Sequence, residues 1–198
     1  DPEPIAAASI GQVHRAIIKD PKSGQERAVA VKVQYPGVDQ AIVSDLKNAD
    51  LLGVLLQQGF NGLDPTEMVD EIKIRLAEEV DYELEARNQQ KFAEYYAGHP
   101  YFRIPAVVPE FSTRRVLTSE LVEGFGWAEL LTRPQAERDH AGEVIFRFVF
   151  RSLYRMGAFN GDPHPGNYLF HDDGTVTFLD FGLVKHFTHD ELDTFASM

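Results

Sequence analysis

Residues 159–186 read FNGDPHPGNYLFHDDGTVTFLDFGLVKH and bring three oxygen-bearing side chains close together in the sequence. Asp162 precedes Asn167 by five residues, and Asp180 follows thirteen residues later, ahead of a Phe-Gly pair. The apolar runs YLF and VTFL flank the turn sequence HDDG, which predicts a β-hairpin that holds Asn167 and Asp180 on one support. Mg²⁺ prefers hard oxygen ligands and usually takes one or two of them from protein. The stretch therefore fits a metal site at Asn167 and Asp180, with Asp162 free to orient a hydroxyl or a water. Taken alone, however, Asp-Phe-Gly is a common tripeptide and Asp followed by Pro is ordinary turn chemistry.

Lys32 is the second candidate, because it lies inside the apolar alternating run VAVKV. The strand alone leaves two interpretations open: a lysine that reaches an anion, or an edge-strand lysine that faces water. The small residues of AAASIG, upstream, would let backbone N–H groups approach a ligand closely, although the same run also fits a poorly packed loop.

The hydrophobic pattern predicts a β-rich half followed by a helical half. Alternation in IGQVHRAII and RAVAVKVQY indicates a hairpin that ends near Tyr35. A joint near residues 122–126 would separate an N-terminal lobe, residues 1–122, from a partial C-terminal lobe, residues 123–198. The remaining predicted elements are helices over residues 39–58, 66–96 and 134–157 and strands over residues 103–111 and 114–122.

Composition excludes several classes of protein. The chain has 198 residues, 19 basic and 31 acidic, and its formal charge of -12 without a basic stripe argues against nucleic-acid binding. The absence of cysteine excludes disulfides and thiol nucleophiles. No apolar stretch reaches about 18 residues, so no transmembrane segment is expected. The abrupt first and last residues favour a piece of a longer protein.

The order of Asp162, Asn167 and Asp180 resembles that of protein-kinase active sites, in which a catalytic-loop Asp precedes an Asn and an Asp-Phe-Gly. More specifically, the chain resembles the UbiB, or AarF-like, family of atypical protein-kinase-like proteins. The resemblance covers nearly all of the sequence. It rests on the stretches PIAAASIGQVHRA, VAVKVQYPGV, EEVDYELEARN, STRRVLTSELVEG, GDPHPGN and LDFG.

This resemblance implies an α+β, kinase-like two-lobe fold with a truncated helical lobe, and it implies a role for each site residue. Lys32 would pair with a helix glutamate, which by position is Glu85, while Glu79 and Asp81 match a Glu-x-Asp motif of the family. Ala6, Ala7, Ala8 and Ser9 would form an alanine-rich nucleotide loop. The Glu120 carbonyl and the Val122 N–H would contact adenine. On one continuous helix, Glu78, Asp81, Glu85 and Asn88 would share a face.

The implied activity is phosphoryl transfer from ATP with Mg²⁺, by an atypical kinase or ATPase acting in ubiquinone or isoprenoid-lipid metabolism. Lys32, Glu85 and Asp162 would be its catalytic residues. The implied partners are a lipid or isoprenoid small molecule, a protein or a membrane surface. A cytoplasmic or peripheral membrane location is expected. The alternative is a nucleotide-binding regulator without turnover. His164 fits a structural or a catalytic-loop role equally, whereas His186 and His189 are expected to be an exposed pair.

Overall fold

The computed structural model describes residues 1–20, 24–38, 40–42 and 66–196. The strands are β1 (Ala6–Ala8), β2 (Gly11–Lys19), β3 (Glu26–Gln34), β4 (Phe102–Arg103), β5 (Val116–Glu120), β6 (Ala158–Asn160), β7 (Tyr168–Phe170), β8 (Val176–Phe178) and β9 (Val184–His186). The α-helices are α1 (Thr66–Glu79), α2 (Tyr82–Tyr95), α3 (Trp127–Leu130), α4 (Gln135–Arg151) and α5 (His189–Ala196). The helix predicted over residues 39–58 lies outside the described residues except for 40–42, which are helical.

The first sheet has four antiparallel strands in the order β1-β2-β3-β5. The β2–β3 hairpin runs in register from Gly11 opposite Gln34 to Lys19 opposite Glu26, as the alternating sequence predicts. Because β3 pairs with β2 on one side and β5 on the other, Lys32 lies on a central strand, opposite both Val13 and Leu117. This position excludes an edge-strand lysine.

The single helix predicted over residues 66–96 is wrong, since the structure divides it into α1 and α2. Asp81 has φ -103° and ψ 85°, outside the helical region, and its carboxylate accepts hydrogen bonds from the N–H groups of Glu83 and Leu84. It is therefore the N-cap of α2, a role for which a short acidic side chain is well suited. The shared face predicted for Glu78, Asp81, Glu85 and Asn88 fails for the same reason, because the helix does not continue through Asp81.

The strand predicted over residues 103–111 is also wrong for most of its length. Only Phe102–Arg103 forms a strand, parallel to β8, and Pro109–Phe111 is a 3₁₀ turn. Val107 makes one isolated bridge to Ser119. The prolines at 105 and 109 supply no backbone N–H, which explains why a regular ladder does not form there.

The helical half packs around an aromatic core. α4 continues into a π-helical turn, Ser152–Met156, and its Phe148 ring stacks on Phe178 of β8 with centroids 3.6 Å apart. β7 and β8 form the predicted hairpin, and β6 pairs with β9. These elements confirm the α+β class, while the boundary at residue 122 stays a prediction. Among the described helices, none is long and apolar enough to cross a membrane.

α4 provides a test of this packing, because its phenylalanines differ in burial. Phe148 is 1% exposed, whereas Phe146 is 61% exposed. We expect Phe148→Ala to lower the free energy of unfolding by about 3–5 kcal/mol, through lost burial and a residual cavity. The matched change Phe146→Ala should cost less than about 1 kcal/mol. Urea unfolding measures both values, and equal losses would contradict the packing described here.

Candidate functional site

Lys32 is the centre of the site. Its Nζ donates hydrogen bonds to Glu85 Oε1 at 2.7 Å, to Glu85 Oε2 at 2.9 Å and to Asp180 Oδ2 at 3.0 Å. These three acceptors match the three N–H groups of an ammonium. Strand β3, helix α2 and the loop after β8 therefore meet at one cation.

Burial sets the protonation of this cluster. Desolvation of the ammonium lowers the pKa of Lys32, but the adjacent Glu85 and Asp180 carboxylates outweigh it, so the pKa lies well above its usual range. Desolvation raises the pKa of Glu85 to about 7, and the Lys32 ammonium opposes part of that rise. Lys32 is thus a permanent cation at neutral pH, whereas Glu85 can take up a proton near pH 7.

The catalytic-loop residues form a compact hydrogen-bonded group. Asp162 Oδ2 accepts from Asn167 Nδ2 at 2.7 Å, and Asp162 Oδ1 accepts from the His164 N–H at 3.1 Å. The Asn167 carbonyl accepts from the Leu179 N–H at 3.0 Å, which ties this loop to the strand that leads to Asp180. The β7–β8 hairpin thus brings the predicted metal ligands together, as its turn sequence indicated.

These donor groups fit a magnesium ion. The Asn167 amide nitrogen is engaged with Asp162, which leaves its Oδ1 as the group able to ligate. Asp180 Oδ1 accepts from the Gly182 N–H at 2.9 Å and Oδ2 accepts from Lys32, and each carboxylate oxygen retains a further lone pair. One carboxylate and one amide oxygen match the one or two protein ligands that Mg²⁺ usually takes beside phosphates and water.

His164 stabilises the loop and also lines the cavity described below. Its Nδ1 accepts a hydrogen bond from the Gly166 N–H at 3.1 Å, so the ring caps the 3₁₀ turn Pro165–Asn167. His186 is exposed and its Nε2 lies 3.3 Å from Asn88 Oδ1, while His189 begins α5 and is exposed. The predicted exposure of both histidines is confirmed.

The alanine-rich loop covers the opening of the site. Ala6, Ala7 and Ala8 form β1, which pairs with the start of β2, and Ser9 occupies the turn between them. The Ser9 hydroxyl donates to the Glu79 carboxylate at the end of α1. This link between the loop and the Glu-x-Asp motif had no signal in the sequence, because seventy positions separate the two residues.

The segment after β5 forms the opposite wall. The Glu120 N–H donates to the Ala106 carbonyl at 2.8 Å, and the Glu120 side chain pairs with Arg103 at 2.6 Å. Within the described residues, the Val122 N–H donates to no protein acceptor, so it is available to a ligand. The predicted Val122 contact therefore lies where a backbone N–H can face a ligand, and Glu120 lines the same cavity.

One cavity of about 670 Å³ joins these parts. It is large enough for a drug-sized ligand. Its lining includes the predicted residues Ala6, Ala7, Ala8, Ser9, Lys32, Glu120, Val122, Asp162, Asn167 and Asp180. Glu85 lies behind Lys32, in a smaller adjoining space. The structure thus brings together every site residue predicted from the sequence, and it adds Ser119 and Leu117 to the wall.

Sequence reasoning missed Tyr82, which lies beside Lys32. The Lys32 Nζ is 5.0 Å from the centroid of the Tyr82 ring. Tyr82 was visible only as an aromatic residue within EEVDYELEARN, and fifty positions separate it from the lysine.

Known proteins resemble this chain in sequence and in fold. A family model described as the ABC1 atypical kinase-like domain matches residues 1–198. The rat protein named atypical kinase COQ8B, mitochondrial, is 38% identical over 198 residues, which span 98% of this chain and 36% of that protein. The Arabidopsis thaliana protein ACTIVITY OF BC1 COMPLEX KINASE 3, chloroplastic, is 38% identical over 193 residues, which span 93% of this chain and 26% of that protein.

A solved structure of Mycobacterium tuberculosis Rv3197, described as its complex with erythromycin, has a TM-score of 0.81 and 42% identity. The match covers 93% of this chain and 46% of Rv3197. The chain thus spans between a quarter and about a third of the curated relatives named above, and under half of the solved one. The matching family model and the residues assembled around Lys32 lead to one conclusion: the chain belongs to the ABC1 family of atypical kinase-like domains, the UbiB group that its motifs resemble.

Proposed function

We propose that this domain binds ATP with Mg²⁺ and transfers or hydrolyses the terminal phosphoryl group. The observation that carries the proposal is the contact of Lys32 Nζ with both Glu85 and Asp180, which brings one cation and a metal-binding carboxylate to the same cavity. Phosphoryl transfer depends mainly on positioning and on neutralisation of charge, and these groups supply both.

Each residue has a definite part in this proposal. Lys32 contacts the α- and β-phosphates, which replace Asp180 as the acceptor of one of its N–H groups, and Glu85 orients its ammonium. Asn167 and Asp180 would hold the magnesium, which would neutralise phosphate charge. Asp162 orients the acceptor hydroxyl or water and takes up its proton, so that the new O–P bond forms as the bond between the γ-phosphorus and the β-phosphate oxygen breaks and ADP leaves.

The walls of the cavity bind the rest of the nucleotide. The Glu120 carbonyl and the Val122 N–H contact adenine, and the loop from Ala6 to Ser9 lies over the phosphates. Alanines have less backbone freedom than the glycines of ordinary kinases, so the loop is expected to close less readily over the γ-phosphate. This favours an ATPase or a small-molecule kinase over a protein kinase.

Family membership supports a place in ubiquinone or isoprenoid-lipid metabolism, with a lipid or isoprenoid compound as the acceptor. A membrane surface or a protein partner, and a cytoplasmic or peripheral membrane location, belong to the same proposal. Together they describe an ATP-dependent enzyme that works on or beside hydrophobic metabolites.

The alternative is a nucleotide-binding regulator that does not turn over. One observation favours it: both carboxylate oxygens of Asp162 already accept hydrogen bonds, from Asn167 and from the His164 N–H. An acceptor hydroxyl must therefore donate to the remaining lone pair of an oxygen that already accepts one hydrogen bond.

Single-turnover hydrolysis of γ-labelled ATP with Mg²⁺ separates the two functions. We expect Asp162→Asn to slow phosphate release by about a hundredfold or more, the size of a lost general-base contribution, while ATP still binds. Asp172→Asn is the matched control, because Asp172 is exposed in the β7–β8 turn and pairs with Arg133. Binding without Asp162-dependent phosphate release would identify the regulator.

No stabilisation by MgATP in a thermal-shift assay would exclude both functions, since ligand at 100 times its Kd adds about 2.7 kcal/mol.

The pKa of Glu85 predicts a pH dependence of nucleotide binding. Below about pH 7 the buried carboxyl takes up a proton, so Lys32 loses one of its two anionic partners and is oriented less well. We expect MgATP affinity, measured by calorimetry, to fall between pH 8 and pH 6. Glu85→Gln should bind weakly throughout and should lack this step.

The same group affects stability with a definite sign. Its pKa in the folded protein, about 7, exceeds the ordinary value of 4.5, so the folded state binds the proton more tightly than the unfolded state. The Glu85 contribution to the free energy of unfolding therefore decreases as the pH rises from about 4.5 to about 7. If Glu85→Gln retained the wild-type pH profile of binding and of stability, Glu85 would not be the titrating group.

A further inference from the structure

Tyr82 is a buried side chain that none of the roles above uses. It is the first residue of α2 and only 1% exposed, in a small cluster with Ala86 and Leu117. Its ring lies beside Lys32, with the ammonium nitrogen 5.0 Å from the ring centroid. A cation at this distance over an aromatic face is attracted to the ring, and more strongly where water is excluded.

The start of β2 lies close to the Tyr82 hydroxyl. A Cβ at Gly11, the first residue of β2, would lie 2.2 Å from the Val33 carbonyl oxygen and 3.0 Å from the Tyr82 hydroxyl oxygen. Only glycine therefore fits at this position. The Tyr82 side chain thus has the start of β2 near its hydroxyl and Lys32 beside its ring.

The ring complements the other contacts of the ammonium. The three N–H groups of Lys32 are directed to Glu85 and Asp180, so an apolar face can fill the remaining side without competing for a hydrogen bond. Burial raises the pKa of the Tyr82 phenol to about 12, and the phenol stays neutral beside the cation. The ring can thus support the lysine without adding a fourth charge to the cluster.

We propose that Tyr82 is a positioning residue of the nucleotide site. The face of its ring holds the Lys32 ammonium next to Glu85 and Asp180, where the ammonium can contact phosphate. The effect of Tyr82 on nucleotide binding rests on the proposed function, whereas the position of its ring beside Lys32 does not. The hydroxyl is a separate feature. It is buried and has no hydrogen-bond partner among the described residues, so the ring alone accounts for the role.

Lysine side-chain NMR on the nucleotide-free chain tests the geometry. With the signals assigned through Lys32→Arg, the terminal methylene and ammonium protons of Lys32 should be displaced upfield by the Tyr82 ring. The absence of this displacement in the wild-type protein would overturn the proposal without any variant of Tyr82. Tyr82→Phe should keep the displaced signals, because it keeps the ring, whereas Tyr82→Leu should lose them.

A matched control separates positioning from general support of the fold. Val107→Ala loosens the same cluster and leaves the Tyr82 ring intact, since Val107 packs against the cluster formed by Tyr82, Ala86 and Leu117. It should lower the Tm and leave the Lys32 signals in place. Loss of the displaced Lys32 signals in Val107→Ala as well as in Tyr82→Leu would contradict a role for the ring face. Loss of these signals in Tyr82→Phe would contradict it too.

Calorimetry with MgATP then measures the consequence. Tyr82→Leu should weaken MgATP binding about tenfold, as the loss of a desolvated cation–π contact predicts, and Tyr82→Phe should restore most of it. A wild-type chain that shows the displaced Lys32 signals but binds no MgATP would refute the proposed function while supporting the geometry. Unweakened MgATP binding in a folded Tyr82→Leu variant would refute the positioning role.

Discussion

The ion cluster of Lys32, Glu85 and Asp180 is the constraint on which the site depends. A largely buried ammonium needs anionic partners, and here they come from a helix 53 positions away and a loop 148 positions away. With all three groups ionised, the cluster carries one net negative charge, so the cavity beside it favours a further cation. A buried ion cluster is weak evidence for stability, because desolvation opposes the attraction between its members. Its position at the end of the cavity is more readily explained by function.

The aromatic core holds the members of this cluster in place. Phe181, directly after Asp180, is fully buried and packs on Phe92 of α2 with ring centroids 4.9 Å apart. On the same helix, Asn88 Nδ2 donates to the Phe181 carbonyl at 3.2 Å. The helix that supplies Glu85 is thus attached, through apolar and polar contacts, to the loop that supplies Asp180. Movement of α2 would separate Lys32 from Glu85 and shift Asp180, the proposed metal ligand, at the same time.

The two walls of the cavity are held in place by different kinds of contact. The catalytic-loop side is fixed by short-range bonds: Asp162 with Asn167, His164 with the Gly166 N–H, and Asn167 with Leu179. The alanine-rich loop is held by the pairing of β1 with β2 and by the hydrogen bond from the Ser9 hydroxyl to Glu79.

The sequence by itself determined the features whose signals are local. Alternation specified the β2–β3 hairpin with Lys32 in it, and the turn HDDG specified the β7–β8 hairpin that brings Asn167 toward Asp180. Motif order then identified the family. Only the tertiary structure decided that α1 and α2 are separate, because a capping aspartate at position 81 competes with a helical pattern that continues on both sides. Only the tertiary structure also showed that Tyr82 lies beside Lys32 and Ser9 beside Glu79. Residues so far apart in the sequence meet through the packing of the chain, and such contacts produce no periodic pattern in the sequence.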